Sequence, residues 1–215
     1  MMGQFLFEFG TLFAIINPYG LAFVFLNRTL DLTDDERFVI ARSVAVYAFC
    51  VLVVSFVAGT IILGFFGVSV AALRIAGGLV VISAGWTMLH EERPSGASEA
   101  RSTKGMAAIR QETFFPLTVP ITTGPGTIAT AITLAASHDA SDGLLLSHGV
   151  SVAVAAFIAL TIVHAYGRVS RMARFVGQEG TMVIMRLSAF LLLCVGVQII
   201  LTGLGEVLPG LLQKP

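Results

Sequence analysis

Two short stretches of this sequence combine residue types that stop a helix and expose its polar ends. The first is Asn17-Pro18-Tyr19-Gly20, and the second is Thr122-Thr123-Gly124-Pro125-Gly126-Thr127. Proline removes a backbone donor and clashes with the turn before it, while glycine permits a path that leaves the helix. Asn17 is a good N-cap with Pro18 at the first helical position; Thr123 or Gly124 can cap a helix beginning at Pro125 in the same way. Each stretch therefore reads as the junction of two half-helices. A helix start presents unbonded N–H groups and partial positive charge, which suit a carboxylate or another anion. Carbonyls ending the preceding half-helix suit an ammonium. The pairing favours a small zwitterion, and the lack of a large aromatic cage favours a small side chain. Thr122, Thr123 and Thr127 add hydroxyls that can satisfy freed backbone or touch a solute, whereas Thr118 is expected to bond back within its own helix.

Both junctions lie near the middle of long apolar runs. Of the 215 residues, 56% are hydrophobic and 12% charged, about half the roughly 25% charge of a soluble domain. Such a chain cannot cover a water-facing surface, so lipid is the expected solvent for most side chains. Six windows have the length of a spanning helix: residues 4–26, 41–66, 69–89, 114–136, 144–166 and 181–204. The fold class is thus all-α and membrane-embedded. A polar stretch rich in Ser, Gly and charge separates the third window from the fourth. The single domain of residues 1–215 divides into a three-helix half at 1–90, a linker at 91–113 and a second half at 114–215. The N-terminus lacks a basic region and reads as a retained first helix, not a cleaved signal.

The halves also resemble each other. Asn17-Pro18-Tyr19-Gly20 lies over Gly124-Pro125-Gly126-Thr127, and ALRIAGGLVVISAG (72–85) lies over IMRLSAFLLLCVG (184–196), with Arg74 on Arg186. Three spans per half make the second half enter from the opposite face, so the repeat is expected to be inverted, with helices 1 and 4 broken at the midplane. Basic residues follow the odd-numbered windows: Arg28, Arg37 and Arg42; Arg93, Arg101, Lys104 and Arg110; Arg168, Arg171 and Arg174. The opposite side carries Arg74 and Lys214. The positive-inside rule places the basic loops in the cytoplasm and both termini outside it.

These motifs carry a family resemblance. FAIINPYG in the first span, LRIAGG in the third, PLTVPITTGPGT in the fourth and the Arg-led sixth helix resemble the MarC family of bacterial and archaeal inner-membrane proteins over nearly the whole chain. The resemblance implies a six-span protein of the inner (plasma) membrane, in a family where some members are regarded as small neutral amino-acid transporters. The chain departs from many relatives in having Phe23 where a further proline is common, Tyr19 where an aliphatic is common, and Thr122 and Thr123 where apolar residues are common.

Other residues weigh less. Formal net charge is zero, which gives no sign of a nucleic-acid partner. Cys50 and Cys194 sit in apolar runs without a metal-ligand spacing, so no metal or cofactor is expected. His148 and His164 read as interfacial, Trp86 as a membrane anchor, Gly77-Gly78 as a close helix contact, and the acidic run 31–36 as a solvated loop. Gln198 is a candidate to reach the solute. Glu8 and Glu112 near the starts of helices 1 and 4, with Arg74 and Arg186 on helices 3 and 6, are candidate gating ion pairs; the alternative is that each Arg anchors its helix by snorkelling.

The expected function is a secondary transporter or facilitator of a small polar solute, with a small neutral amino acid foremost, bound by Asn17, Pro18, Tyr19, Gly20, the 122–127 stretch and Gln198. A channel with paired half-helices is the alternative. A membrane-embedded enzyme ranks below both, because no HExxH, paired intramembrane carboxylates or Ser/His constellation is present. The charge pattern generates a topology prediction: a reporter fused at the C-terminus is active outside the cytoplasm, and one placed after Arg101 is active inside it.

Overall fold

The computed structural model describes residues 1–90, 106–136 and 144–212, so Arg93, Arg101, Lys104 and Lys214 lie outside the described residues, as does most of the linker. Those described form helices and no strand. α1 (Met2–Ile16) and α2 (Pro18–Arg28) make up the first span; α3 is Asp34–Phe66 and α4 is Val70–His90. α5 (Met106–Glu112) leads into a π-helical segment, Thr113–Thr122, followed by α6 (Pro125–Ala136) and the long α7 (Leu144–Leu212).

Local chemistry sets the boundaries. Asn17 adopts the left-handed conformation (φ 43°, ψ 64°) and its side chain accepts from the Gly20 N–H at 3.2 Å. Asn tolerates that conformation better than most side chains, and Pro18 has no N–H to lose at the first position of α2. α3 starts with a capping box, the Thr33 hydroxyl accepting from Glu36 N–H while the Glu36 carboxylate accepts from Thr33 N–H. α7 is broken at Gly177, whose φ of 80° and ψ of 174° only glycine adopts readily, giving two arms.

Five helices among the described residues are long and apolar enough to cross a membrane: Met2–Arg28 with α1 and α2 taken together, Asp34–Phe66, Val70–Thr87, Leu146–Gly177 and Glu179–Leu208. The window at 114–136 departs from the expectation of a sixth such helix. Pro116 and Pro120 interrupt its first part, where Phe115 and Val119 leave helical geometry and both X–Pro bonds are cis. The regular helix that follows, Pro125–Ala136, has 12 residues, which at about 1.5 Å per residue reaches well short of a roughly 30 Å core.

Two packing regions hold these elements together. The first arm of α7 buries Ser151, Val154, Ala155, Ile158, Ile162, Ala165, Tyr166 and Val169, a stripe at three- and four-residue spacing that faces a partner helix surface. It packs with Leu12 and Ile16 of α1, Phe25 of α2, and Ile40, Val44 and Leu52 of α3. Large apolar side chains point the other way, Phe65 and Ile61 among them, as lipid-facing positions should.

The second region joins α4 to the second arm of α7 through small residues. Ala71, Gly78 and Gly85 recur every seventh position on one helix, and Ala189, Gly196 and Gly203 on the other. The order of contacts is antiparallel. A Cβ on Gly78 would lie 2.7 Å from the Gly196 carbonyl oxygen, and one on Gly196 would lie 2.9 Å from that of Gly78. At Gly85 the near atom is the Ala189 carbonyl oxygen, 2.9 Å away, and at Gly203 it is that of Ala71, 3.0 Å away. Backbones in contact are how membrane helices gain attraction when lipid is as apolar as their side chains.

At the end of the molecule rich in basic residues, Arg37 is buried. It donates to Thr29 Oγ1 and Thr29 O, to Leu32 O, to Asp34 Oδ1 at 2.7 Å and to Ser170 Oγ at 2.5 Å. Asp34 also meets Arg174 at 3.2 Å. The loop between α2 and α3 is therefore tied to α7, and part of the acidic run is structural instead of merely solvated.

The glycine contact generates the second prediction. Gly196→Val should lower stability by about 1–3 kcal/mol through overpacking, read as a lower thermal midpoint in detergent. Gly205→Val, at a position with nothing within 4 Å, should stay within about 0.5 kcal/mol. Equal effects would mean that the α4–α7 approach is not what the glycines serve.

Candidate functional site

The second junction carries more irregular backbone than the first, and three threonine hydroxyls bond to carbonyls within it. Thr118 Oγ1 donates to Thr113 O at 2.7 Å, Thr122 Oγ1 to Leu117 O at 2.7 Å, and Thr123 Oγ1 to Thr118 O at 3.3 Å. These are five-residue spans, longer than the ordinary helical return. Thr118 thus bonds back within its own segment. Since the Thr122 proton goes to Leu117, the Tyr166 hydroxyl, 3.0 Å away, is the donor in their contact. Tyr166 is fully buried and stacks on Phe25 with ring centroids 4.6 Å apart. One hydroxyl chain thereby links α7 to the π segment, and one ring stack links it to α2.

The two junctions begin their second half-helices alike. Leu21 N–H donates to Asn17 O and Ile128 N–H to Gly124 O, both at 3.0 Å. Gly77 of α4 lies against the second junction, where a Cβ would come 2.9 Å from the Pro125 carbonyl carbon. A cavity of about 30 Å³ lies between the junctions. Ile15 and Leu21, which flank the first, contribute to its wall, and Thr122, Gly124, Gly126 and Thr127 contribute from the second. Val81 of α4 and Ile199 of α7 also line it.

The structure thus gathers four of the residues expected at a solute site, Thr122, Gly124, Gly126 and Thr127, around one space. Thr123 is buried beside them, and Pro125 starts α6. Asn17, Pro18 and Gly20 form the first junction without bordering the cavity, and Tyr19 is 40% exposed, its ring 6.3 Å from that of His164. Gln198 is exposed on α7 and is not brought to the cavity.

The candidate ion pairs are arranged differently from expectation. Arg74 is buried and pairs with Glu206 on the second arm of α7, and it donates to Thr133 Oγ1 on α6 at 2.6 Å. Among the described residues its acid is Glu206, not Glu8, because the antiparallel packing of α4 on α7 brings residue 206 to the same end. Glu8 is buried in α1 and accepts from Gln4 Nε2 at 2.8 Å. Arg186 is exposed, Glu112 is half-buried, and no ion pair joins those two among the described residues.

Sequence reasoning passed over Tyr166, Pro116 and Pro120. The available signal was a phenol within an apolar span and a four-residue proline spacing flanked by threonines. Thr122→Val should strand the buried Tyr166 hydroxyl, costing about 1–3 kcal/mol. Tyr166→Phe removes only the donor and should cost less. Thermal midpoints of the two variants and their double mutant in detergent check this; additive losses would show that the hydroxyls do not act as a chain.

Comparisons with known proteins bear on nearly the whole chain. The model of the MarC family integral membrane proteins matches residues 2–208. The chain is 32% identical over 204 residues to the UPF0056 inner membrane protein MarC of Salmonella typhimurium, covering 92% of each chain. It is likewise 32% identical over 206 residues to the protein of that name from Escherichia coli, again covering 92% of both. No solved structure matches. With the family model spanning nearly the whole chain and both curated relatives aligned along almost their full length, the protein belongs to the MarC family of integral membrane proteins.

Proposed function

We propose that this protein is a secondary transporter or facilitator that moves a small polar solute, with small neutral amino acids as the leading class, by alternating access around the two helix junctions. The observation that carries the reading is the cavity walled by the second junction and by the flanks of the first. Broken helices meeting at an internal cavity are the arrangement that secondary transporters use to bind solute. Irregular backbone is tolerated at membrane depth where protein or a cavity covers it.

The size of the cavity favours a carrier over a channel. About 30 Å³ admits roughly one or two water molecules, so this conformation holds a small space between the junctions and not a wide lumen. A carrier passes through closed forms in every cycle, whereas a conducting pore needs a continuous lined path.

In this reading the π segment and α6 together make the sixth crossing, and the two halves are inverted repeats. Two features support that. The junctions share the same first helical hydrogen bond, and α4 packs antiparallel on the second arm of α7, as a two-fold axis in the membrane plane relating those two helices would make them. With the basic end in the cytoplasm, both termini lie outside.

The test is counterflow of labelled L-alanine in proteoliposomes. Unlabelled L-alanine on the far side should accelerate uptake; flux without that acceleration would favour the channel. Gly126→Leu should reduce exchange at least tenfold, since its Cβ would overlap Ile199 Cδ1 in the cavity wall. Gly20→Leu should do the same by displacing the Asn17 side chain, whose Nδ2 occupies the place of the added Cβ. Both variants should still insert and run as folded protein. Wild-type exchange in both would reduce the junctions to kinks.

A further inference from the structure

The two junctions differ in what they leave unbonded. At the first, Asn17 caps α2 from within the chain, its Oδ1 accepting from the Gly20 N–H. At the second, the capping position is Gly124, which has no side chain. Among the described residues, the N–H groups of Gly126 and Thr127 have no hydrogen-bond acceptor. Thr127 is only 4% exposed, and its hydroxyl bonds no protein group among those described, whereas the hydroxyls of Thr122 and Thr123 are both engaged by carbonyls. Gly126 and Thr127 both line the cavity.

Two free amides at the positive end of a 12-residue helix form an anion seat, and the unpartnered hydroxyl of Thr127, a buried residue that lines the cavity, supplies a third donor beside them. The charge of the anion is limited by the rest of the wall. No Lys or Arg lines the cavity, so a doubly charged phosphate would be poorly compensated away from water. A single negative charge suits two amides and a hydroxyl. The remaining wall is largely aliphatic, with Leu21, Val81 and Ile199 among its residues, which suits an apolar body attached to that charge. Room for roughly one or two waters is also room for the two oxygens of a carboxylate.

We propose that the start of α6, at Gly126 and Thr127, and not the matching start of α2, holds the carboxylate of a small monocarboxylate solute, with the Thr127 hydroxyl as one of its donors. This rests on the cavity being the solute site of the proposed carrier, and it assigns the orientation of the solute within it.

The experiment measures binding to the purified full-length protein in detergent, by titration calorimetry and thermal midpoint, with L-alanine, propionate, L-alaninamide and sodium chloride as probes. L-Alanine and propionate should bind saturably, L-alaninamide at least tenfold more weakly, and chloride without saturation. Thr127→Val should weaken L-alanine and propionate about tenfold or more, the effect of losing a hydrogen bond to a charged group. Thr127→Ser, which keeps the hydroxyl, should stay within about threefold of wild type.

Equal binding of L-alaninamide and L-alanine overturns the proposal, as does an unchanged affinity in Thr127→Val or the absence of saturable binding by either carboxylate. Saturable chloride binding that competes with propionate replaces the carboxylate with an inorganic anion and overturns it too. If Thr127→Val does not fold, the probe comparison on wild type and Thr127→Ser decides alone. Failure of the carrier reading is separable: carboxylate binding sensitive to Thr127 without counterflow sinks transport and leaves the seat, while counterflow with unchanged affinity in Thr127→Val sinks the seat and leaves transport.

Discussion

The structure depends on a constraint that soluble proteins escape: a backbone group freed inside the bilayer has no water to bond. Every proline in the middle of a span therefore frees a carbonyl or an amide, at a cost of several kcal/mol if that group stays unbonded. The chain answers locally. At the first junction Asn17 serves as both the left-handed residue and the cap. At the second, where Pro116 and Pro120 precede Pro125, three threonine hydroxyls reach back to carbonyls five residues earlier. These hydroxyls add donors to carbonyls inside the proline-interrupted stretch.

Those local bonds have tertiary supports. The Thr122 hydroxyl is held by Tyr166, and Tyr166 by Phe25, so α2, the π segment and α7 share one buried anchor. On the other side, Gly77 lets α4 touch the Pro125 turn while Gly78, on the adjacent helical face, lets it touch α7. Neither contact survives a side chain without movement of backbone. The broken segment is thus clamped between a hydroxyl-bonded tyrosine and a glycine-lined helix, which is how irregular backbone can be a specific structure in lipid.

In the proposed carrier, the solute is held where backbone donors are left unbonded. Where Asn17, Thr122 and Thr123 satisfy their neighbours, the backbone is closed to a ligand. Where α6 begins without a capping side chain, donors remain and a cavity adjoins them. The two junctions look alike in composition, yet one is sealed by its own asparagine and the other is open at Gly124. In that proposal, the difference between a structural kink and a binding end is a single side chain.

Sequence by itself determined the membrane class, the position of both junctions and the family, because each rests on local chemistry: apolar run length, the missing proline N–H, the capping power of Asn, and motif identity. The first junction falls at Asn17 for reasons contained within four residues. The same locality explains why the 114–136 window misled. Its apolarity promises a long helix, but Pro116 and Pro120 act together with distant partners to produce a π segment and a short α6. Only the tertiary structure decided that Arg74 meets Glu206 and not Glu8, that Gln198 faces outward, that Arg37 is buried and that Tyr166 holds Thr122. The three contacts join residues far apart in the chain, and the antiparallel register of α4 on α7 or the packing of α7 against α2 sets which side chains arrive at the same depth. A lipid-solvated helix offers little polar patterning from which such a register could be read in advance.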